Sequence, residues 1–462
     1  MSRMILTVIG GGSVNWMRGL MRDVYLMDEV EGGEIRLFDP NREHTEAVAA
    51  MLAAVNRRRD KNYKISIVED RKAALTGADF VMTTFSPGRM DAYFNDLEIP
   101  VKYGIRLPVS MTVGVSGISA ALRTAPVAYE IVQDMEEVCP GAWLLNVTNP
   151  MTVVTRAMNL AARRVHVLGF CHGLHDITRL LGPILGLSRP EGVSVLDYIF
   201  RWLPEQGFQF TTAGLNHFIW LVRATWKGED MLPRIRQFAR DHERIAPPES
   251  QERAPTPWEN DFQATLALCR RFGFLPIGGD RHHLEFIPSL CNVRNGWGMK
   301  YGVFKTTVDH RRHLIDQYLA RIRRITTGEE KMEWIPSDEE LTGVMRAILT
   351  RGSMVTNVNL PNRGQIDDLP RDVVVETFAT VTAEGVTPHA AGALPGGIGT
   401  LCRLHAEVQE LTLRAALEGS RELLLEALSL DPHSAAADFE ELSAMADELL
   451  LANRPWLPRF FS

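Results

Sequence analysis

A cysteine and a histidine stand side by side in "VLGFCHG" (167–173), just after an apolar run that reads as a buried strand. Covalently adjacent side chains chelate one ion poorly. Either the pair is incidental, or Cys171 takes a metal and His172 does other work. A second metal donor must then come from elsewhere, and "AGLNHFIW" offers His217 at the end or bend of another strand. Thiolate plus imidazole can hold a divalent ion and leave positions open for the oxygens of a sugar diol. The competing reading is plain: a lone buried cysteine is usually core, and a histidine beside an asparagine is usually hydrogen-bonded structure.

A different chemistry is suggested by the first turn, Gly10-Gly11-Gly12-Ser13-Val14-Asn15. It carries two glycines of a G-x-G-x-x-G dinucleotide loop, with Asn15 in place of the third. Gly10 permits the tight turn, and Gly12 lets backbone approach a pyrophosphate at a helix N-terminus. Asp39 ends the next strand, where a carboxylate binds ribose hydroxyls and repels a 2′-phosphate; that favours NAD over NADP. A structural turn with a solvated Asp39 is the alternative. Asn149 in "TNP" falls at the carboxyl edge of a further strand, near nicotinamide and substrate, or serves as N-cap with Pro150 at N1. The segment "IGGDRHHLEFIP" (277–288) brings Asp280, Arg281, His282, His283 and Glu285 together. They line a pocket, or they form an exposed turn broken by Gly278-Gly279.

The elements that must carry these groups alternate. Strands are expected at "MILTVIG", "EIRLFD", "YKISIVED", "DFVMTTFS", "AWLLN" and "VHVLGFC", with helices at 14–30, 41–58, 120–138 and 151–163. Such alternation predicts a doubly wound parallel sheet of Rossmann type over 1–195. From 196 to 462 the rhythm changes to an α+β domain for substrate binding and oligomerisation. "GFQFTTAGLNHFIWLVRATW" reads as antiparallel strands, 229–275, 304–350 and 401–450 as mostly helical, and "SMVTNVNLPNRGQIDDLP" with "DVVVETFATVTAEGVTP" as a hairpin-rich sheet. The charged stretch 241–255 reads as a solvated loop. The 462 residues fit two such domains, and a net charge of −7 spread along the chain excludes nucleic acid and anionic membranes as obvious partners. No signal peptide or transmembrane-length run is seen, and five irregularly spaced cysteines suggest reduced thiols and a cytoplasmic home.

Taken together, "VIGGGS", "ADFVMTTFSPG", "ALRTAP", "EVCPGAWLLNVTNPM", "GFCHG", "GLNHFIWL", "GGDRHHLEFIP", "VNLPNRGQIDDLP", "VVVETFATVTAEGVTP" and "GALP" resemble glycoside hydrolase family 4, in family order and across about the whole chain. The closest resemblance is to the branch with α-galactosidases, α-glucosidases and α-galacturonidases. The resemblance implies a lactate/malate dehydrogenase-like fold and an NAD- and manganese-dependent hydrolase, an exception to two-carboxylate hydrolysis. In that chemistry hydride leaves C3 of the sugar to NAD, a base takes the C2 proton, the C1–O bond breaks by elimination, water adds and the hydride returns. It implies that Cys171 and His217 hold the metal and that His172 assists the leaving oxygen as an acid. It further implies that Asp280 is the C2 base, that Asn149 contacts sugar and nicotinamide, and that Gly10, Gly12, Ser13, Asp39, Ser86 and Pro87 line the cofactor. Relatives form dimers or tetramers.

Departures leave the sugar open. "GVSGI" stands where many relatives read "GPGGI"; Gly173 is α-glucosidase-like, whereas "GDRH" is α-galacturonidase-like. Arg281 would pair with a uronate carboxylate or orient Asp280. The expected activity is hydrolysis of an unphosphorylated α-hexoside or α-hexuronide. A malate/lactate-type dehydrogenase, which would accumulate NADH, and a non-catalytic NAD-linked sugar-binding protein are the rivals.

Overall fold

A computed structural model describes residues 2–59, 61–109, 111–245, 261–337 and 339–462. Six strands, β1 (Ser2–Ile9), β2 (Val30–Phe38), β3 (Asn62–Ile67), β4 (Phe80–Thr83), β5 (Trp143–Asn146) and β6 (His166–Gly169), run parallel in the order β3-β2-β1-β4-β5-β6. This is the doubly wound order that puts a crevice at the carboxyl ends of β1 and β4. All four residues of β4 and of β5 are buried, as expected for strands covered by helices on both faces.

The sheet does not stop at β6. The remaining strands are β7 (Phe208–Leu215), β8 (Phe218–Trp226), β9 (Glu229–Asp230), β10 (Leu275–Ile277), β11 (Ser353–Pro361), β12 (Val374–Thr382) and β13 (Gly385–Pro388). They continue the same sheet as β6-β11-β12-β7-β8-β10, with β13 on β12 and β9 on β8. Parallel and antiparallel parts meet at one pair, Asn359 opposite Gly169. A side-chain carbon at Gly169 would lie 2.5 Å from Thr155 Oγ1 and 2.9 Å from Asn359 Cβ, so only glycine lets β6 and β11 approach there. The helix Ile177–Leu185 packs in the same apolar cluster as β7, β8 and β10.

Two expectations need correction. The helix expected over 120–138 begins at Gly114 and runs to Val138. "GVSGIS" has turn composition, but its residues are buried, and packing overrides their weak helical preference. The exposed-turn reading of "IGGDRHHLEFIP" also fails: Asp280–Phe286 is a helix in which Asp280, Arg281, His283, Leu284, Glu285 and Phe286 are all buried. Of the charged stretch 241–255, residues 246–255 lie outside the described residues. Among the described residues no helix is long and apolar enough to cross a membrane, and all five cysteines are free thiols.

A buried ion pair ties the layers together. Arg123 Nη1 donates to Asp96 Oδ1 (3.0 Å), and Arg123 Nε donates to the Pro87 carbonyl (2.9 Å). Ser119 and Asn453 complete the Asp96 shell, so the C-terminal segment is joined to the loop after β4.

Candidate active site

The crevice begins at the turn after β1. Gly10 has φ +92°, and a side-chain carbon there would lie 2.0 Å from the Thr84 carbonyl oxygen, so glycine is obligatory. The amides of Gly10 and Gly11 both donate to the Phe38 carbonyl (2.8 and 3.0 Å). Asp39 does not simply face solvent: Oδ2 accepts from the Gly12 amide (3.1 Å) and Oδ1 from the Asn41 amide (2.7 Å). The carboxylate therefore shapes the turn. Ser13 Oγ meets Thr84 Oγ1 at 3.3 Å, and Asn15 is exposed just before the helix Met17–Tyr25.

Ser86 is exposed and Pro87 half-buried in the adjacent loop after β4. Asn149 is half-buried after β5, and its Oδ1 accepts from the Met151 amide (3.2 Å) at the first turn of Met151–Ala161. The helix-start reading thus holds, shifted by one residue, since Pro150 is the capping position. Thr148 Oγ1 accepts from the Phe85 amide (3.2 Å), which locks the loops after β4 and β5 together.

Cys171 is extended (φ −143°, ψ 138°) two residues beyond β6. His217 occupies the two-residue turn between β7 and β8 with φ +63°, a left-handed conformation rare for histidine, and is buried. Its Nδ1 meets Thr112 Oγ1 at 2.7 Å, and its ring stacks on His282 at 3.8 Å. A hydrogen on Nδ1 donated to Thr112 leaves the Nε2 lone pair for a ligand. Burial brings the His217 pKa down to about 3, so the ring is neutral, as a metal donor must be. A side-chain carbon at Gly173 would lie 3.8 Å from Cys171 Sγ and 4.0 Å from His217 Cδ2, so sulfur and ring are no more than about 8 Å apart. Both groups lie beside Gly173.

Among the described residues no three His, Cys, Asp or Glu side chains gather as a metal cage. The fit therefore rests on one thiol and one neutral imidazole, a borderline-soft donor pair suited to a divalent transition ion. Lost hydration, and then the Glu376 carboxylate, push the Cys171 thiol pKa up, so a cation is what would favour its ionised form.

His172 diverges from its neighbour. Its side chain is 57% exposed, with Nδ1 3.5 Å from Glu339 Oε1 and the ring 6.0 Å from Trp16, which follows the glycine turn. Trp16 therefore brings the start of the first helix beside the Cys-His pair. Asp280 is fully buried and heavily engaged. Oδ1 accepts from the Thr265 amide (2.8 Å) and hydroxyl (2.7 Å), and Oδ2 accepts from the Ala264 amide (3.1 Å). Four lone-pair sites meet three donors, which leaves one. Burial outweighs these bonds and pushes its pKa up to about 6. Arg281 does not donate to Asp280 in that set; its Nη2 donates to Thr306 Oγ1 (2.9 Å), and burial followed by the nearby Arg311 lowers its pKa to about 10.

Several neighbours had no assigned role in the sequence reading: Thr112, Arg311, Glu339, and Glu376 with Asn216, Asn357 and Asn359. A signal existed for the last group. Glu376 interrupts the apolar run "VVVETFA", and Asn357 and Asn359 sit two apart in "TNVNLPN", on one face of a strand.

Residues 5–187 match the model of the family 4 glycosyl hydrolases, and 212–434 match the C-terminal domain of the same family. An alpha-galacturonidase of Thermoanaerobacterium saccharolyticum is 32% identical over 435 residues, covering 92% of this chain and 91% of that protein. The chain belongs to glycosyl hydrolase family 4. Its Cys171 comes from the first family 4 module and its His217 from the second. Among solved family 4 folds, the Bacillus subtilis protein lplD superposes with a TM-score of 0.85 at 26% identity, covering 97% of this chain and 100% of that one. A 6-phospho-alpha-glucosidase from gut microorganisms, solved in complex with NAD and Mn2+, superposes with a TM-score of 0.79 at 20% identity, covering 99% of each chain.

Proposed function

We propose that the protein is an α-glycosidase that uses NAD and a divalent metal, manganese in the first instance, on an unphosphorylated α-hexuronide or α-hexoside, with a galacturonide favoured. The observation that carries this is the convergence of Cys171 Sγ and the His217 ring on the same point beside Gly173. When bound, the nicotinamide would supply reversible hydride acceptance, and a divalent ion held by Cys171 and His217 would supply Lewis acidity toward the sugar.

The chain's own groups do the rest. Gly10, Gly12, Ser13 and Asp39 form the dinucleotide turn, and Ser86 and Pro87 border it. Asn149 stands at the carboxyl end of β5 for the sugar hydroxyls. Asp280, with a pKa raised to about 6 and one lone pair uncommitted, takes the C2 proton. His172, exposed at the rim, donates a proton to the leaving oxygen. Arg281, close to Arg311, supplies the positive charge that a uronate carboxylate needs. Arg311 itself lies over the Tyr93 ring at 4.7 Å. The alpha-galacturonidase relative supports the same sugar.

The test is a panel of p-nitrophenyl α-glycosides supplied with NAD, Mn2+ and a thiol reductant. Nitrophenol release without net NADH, fastest on the galacturonide, is the expected result. Stoichiometric NADH would instead mark a dehydrogenase. Binding of sugar without turnover would mark a sensor. Asp280→Ala should abolish turnover with NAD still bound; retained activity removes Asp280 as the base.

A further inference from the structure

One buried acid has no part in the reaction just described. Glu376 lies in β12, 1% exposed. Three side-chain amides converge on it: Asn216 Nδ2 (2.8 Å) and Asn359 Nδ2 (3.2 Å) donate to Oε2, and Asn357 Nδ2 (2.5 Å) donates to Oε1. Burying a carboxylate is costly, and three donors are what make it tolerable. The same bonds orient the amides. A carbonyl oxygen turned toward the carboxylate would be repelled, so the NH2 groups face Glu376. Oδ1 of Asn216, Asn357 and Asn359 then points elsewhere, buried without a hydrogen-bond partner.

Strand register brings this cluster to the metal pair. Glu376 is opposite Asn359 of β11 and Gly214 of β7, and Asn359 is opposite Gly169 of β6. The chain stays extended at Cys171, two residues past Gly169, so Cys171 falls on the face that carries Asn359 and Glu376. Asn216 directly precedes His217, and its side-chain amide favours the ionised form of the Cys171 sulfur. An amide NH2 has two hydrogens, enough to hold a carboxylate and a sulfur at once.

We propose that Asn216 and Glu376 are positioning residues for a divalent ion held by Cys171 and His217: Glu376 fixes the Asn216 amide, and that amide holds the Cys171 sulfur toward the ion. The proposal rests on the metal reading of the site. In that arrangement an N–H···S contact sets the sulfur's direction and electron density. Partners of this kind typically change metal affinity by about 10- to 100-fold.

The experiment uses Co2+ with the full chain, without sugar, reading the thiolate-to-cobalt charge-transfer band and the dissociation constant by chelator competition. Cys171→Ala is the control for the metal reading. If that variant keeps the band and the affinity, the site itself is wrong. If it loses both, Asn216→Ala and Glu376→Gln test the proposal. The expected result is a shifted band and about 10- to 100-fold weaker Co2+ binding in each. Circular dichroism reports whether the buried Glu376→Gln variant folds; if it does not, Asn216→Ala decides alone, because Glu376 then keeps two of its three amides. An Asn216→Ala protein with an unmoved band and an affinity within twofold of the parent overturns the proposal.

Discussion

The two ends of the crevice are assembled over different sequence distances. At the dinucleotide end, Gly12 and Asp39, 27 positions apart, close the turn between neighbouring strands β1 and β2. At the sugar end, His217 is held by Thr112 across 105 positions, and Asn216 by Glu376 across 160. The first arrangement needs only a strand, a glycine turn and a second strand. The second needs the whole sheet to be in register before any of its hydrogen bonds exists. Local chemistry can therefore be altered at one end without touching the other, and this separation can be tested.

The largest expected effect is at the sugar end. Cys171→Ala should cut turnover at least about a thousandfold, since a lost Lewis acid forfeits several kcal/mol of barrier lowering. NAD affinity, measured by fluorescence titration, should stay within about threefold; a collapse of NAD binding would break the separation of the two ends. Gly10→Ala is the mirror experiment. The strained φ alone costs about 1–3 kcal/mol, and the clash with the Thr84 carbonyl adds to it. NAD binding should fall by at least about tenfold, measured by the same titration, while Co2+ binding persists. Arg281→Met should be subtler, lowering kcat/KM on a p-nitrophenyl galacturonide by about 10- to 100-fold more than on the galactoside. Equal losses on both would assign Arg281 to architecture.

The smallest effect lies outside the crevice. Glu136, at the end of Gly114–Val138, accepts from the amides of Arg163, Arg164 and Val165 (2.7, 2.7 and 2.8 Å), just before β6. Burial works against its charge, but these bonds win and hold its pKa down to about 2. A depressed folded pKa means stability present above the unfolded carboxylate range and lost as pH falls toward about 2. Glu136→Gln should lower Tm by about 1–3 °C at pH 7 and by less at pH 3, measured by calorimetry.

The same contrast explains what could be read from the chain. The parallel strands were legible because each is a short apolar run closed by a turn residue, and the glycine loop with Asp39 is a local pattern. The β7–β8 hairpin was legible too, but the left-handed backbone of His217 was not, because histidine rarely adopts it and its contacts with Gly278, Thr112 and His282 come from distant segments. The segment Asp280–Phe286 left a pocket and an exposed turn open, since its polar residues carry no amphipathic stripe; they are buried on several sides because Ala264, Thr265 and Thr306 meet them there. Family resemblance supplied roles for Cys171 and Asp280 that spacing alone left open. It supplied none for Glu376, whose meaning depends on three asparagines from β11 and the β7–β8 turn.

Gly169 joins the parallel and antiparallel parts of the sheet. Because β6 hands its edge to β11 at that residue, the glycine turn after β1 and the thiol-imidazole pair are mounted on one continuous lattice of backbone hydrogen bonds. The span between them is then set by the strand spacing, like marks on a ruler.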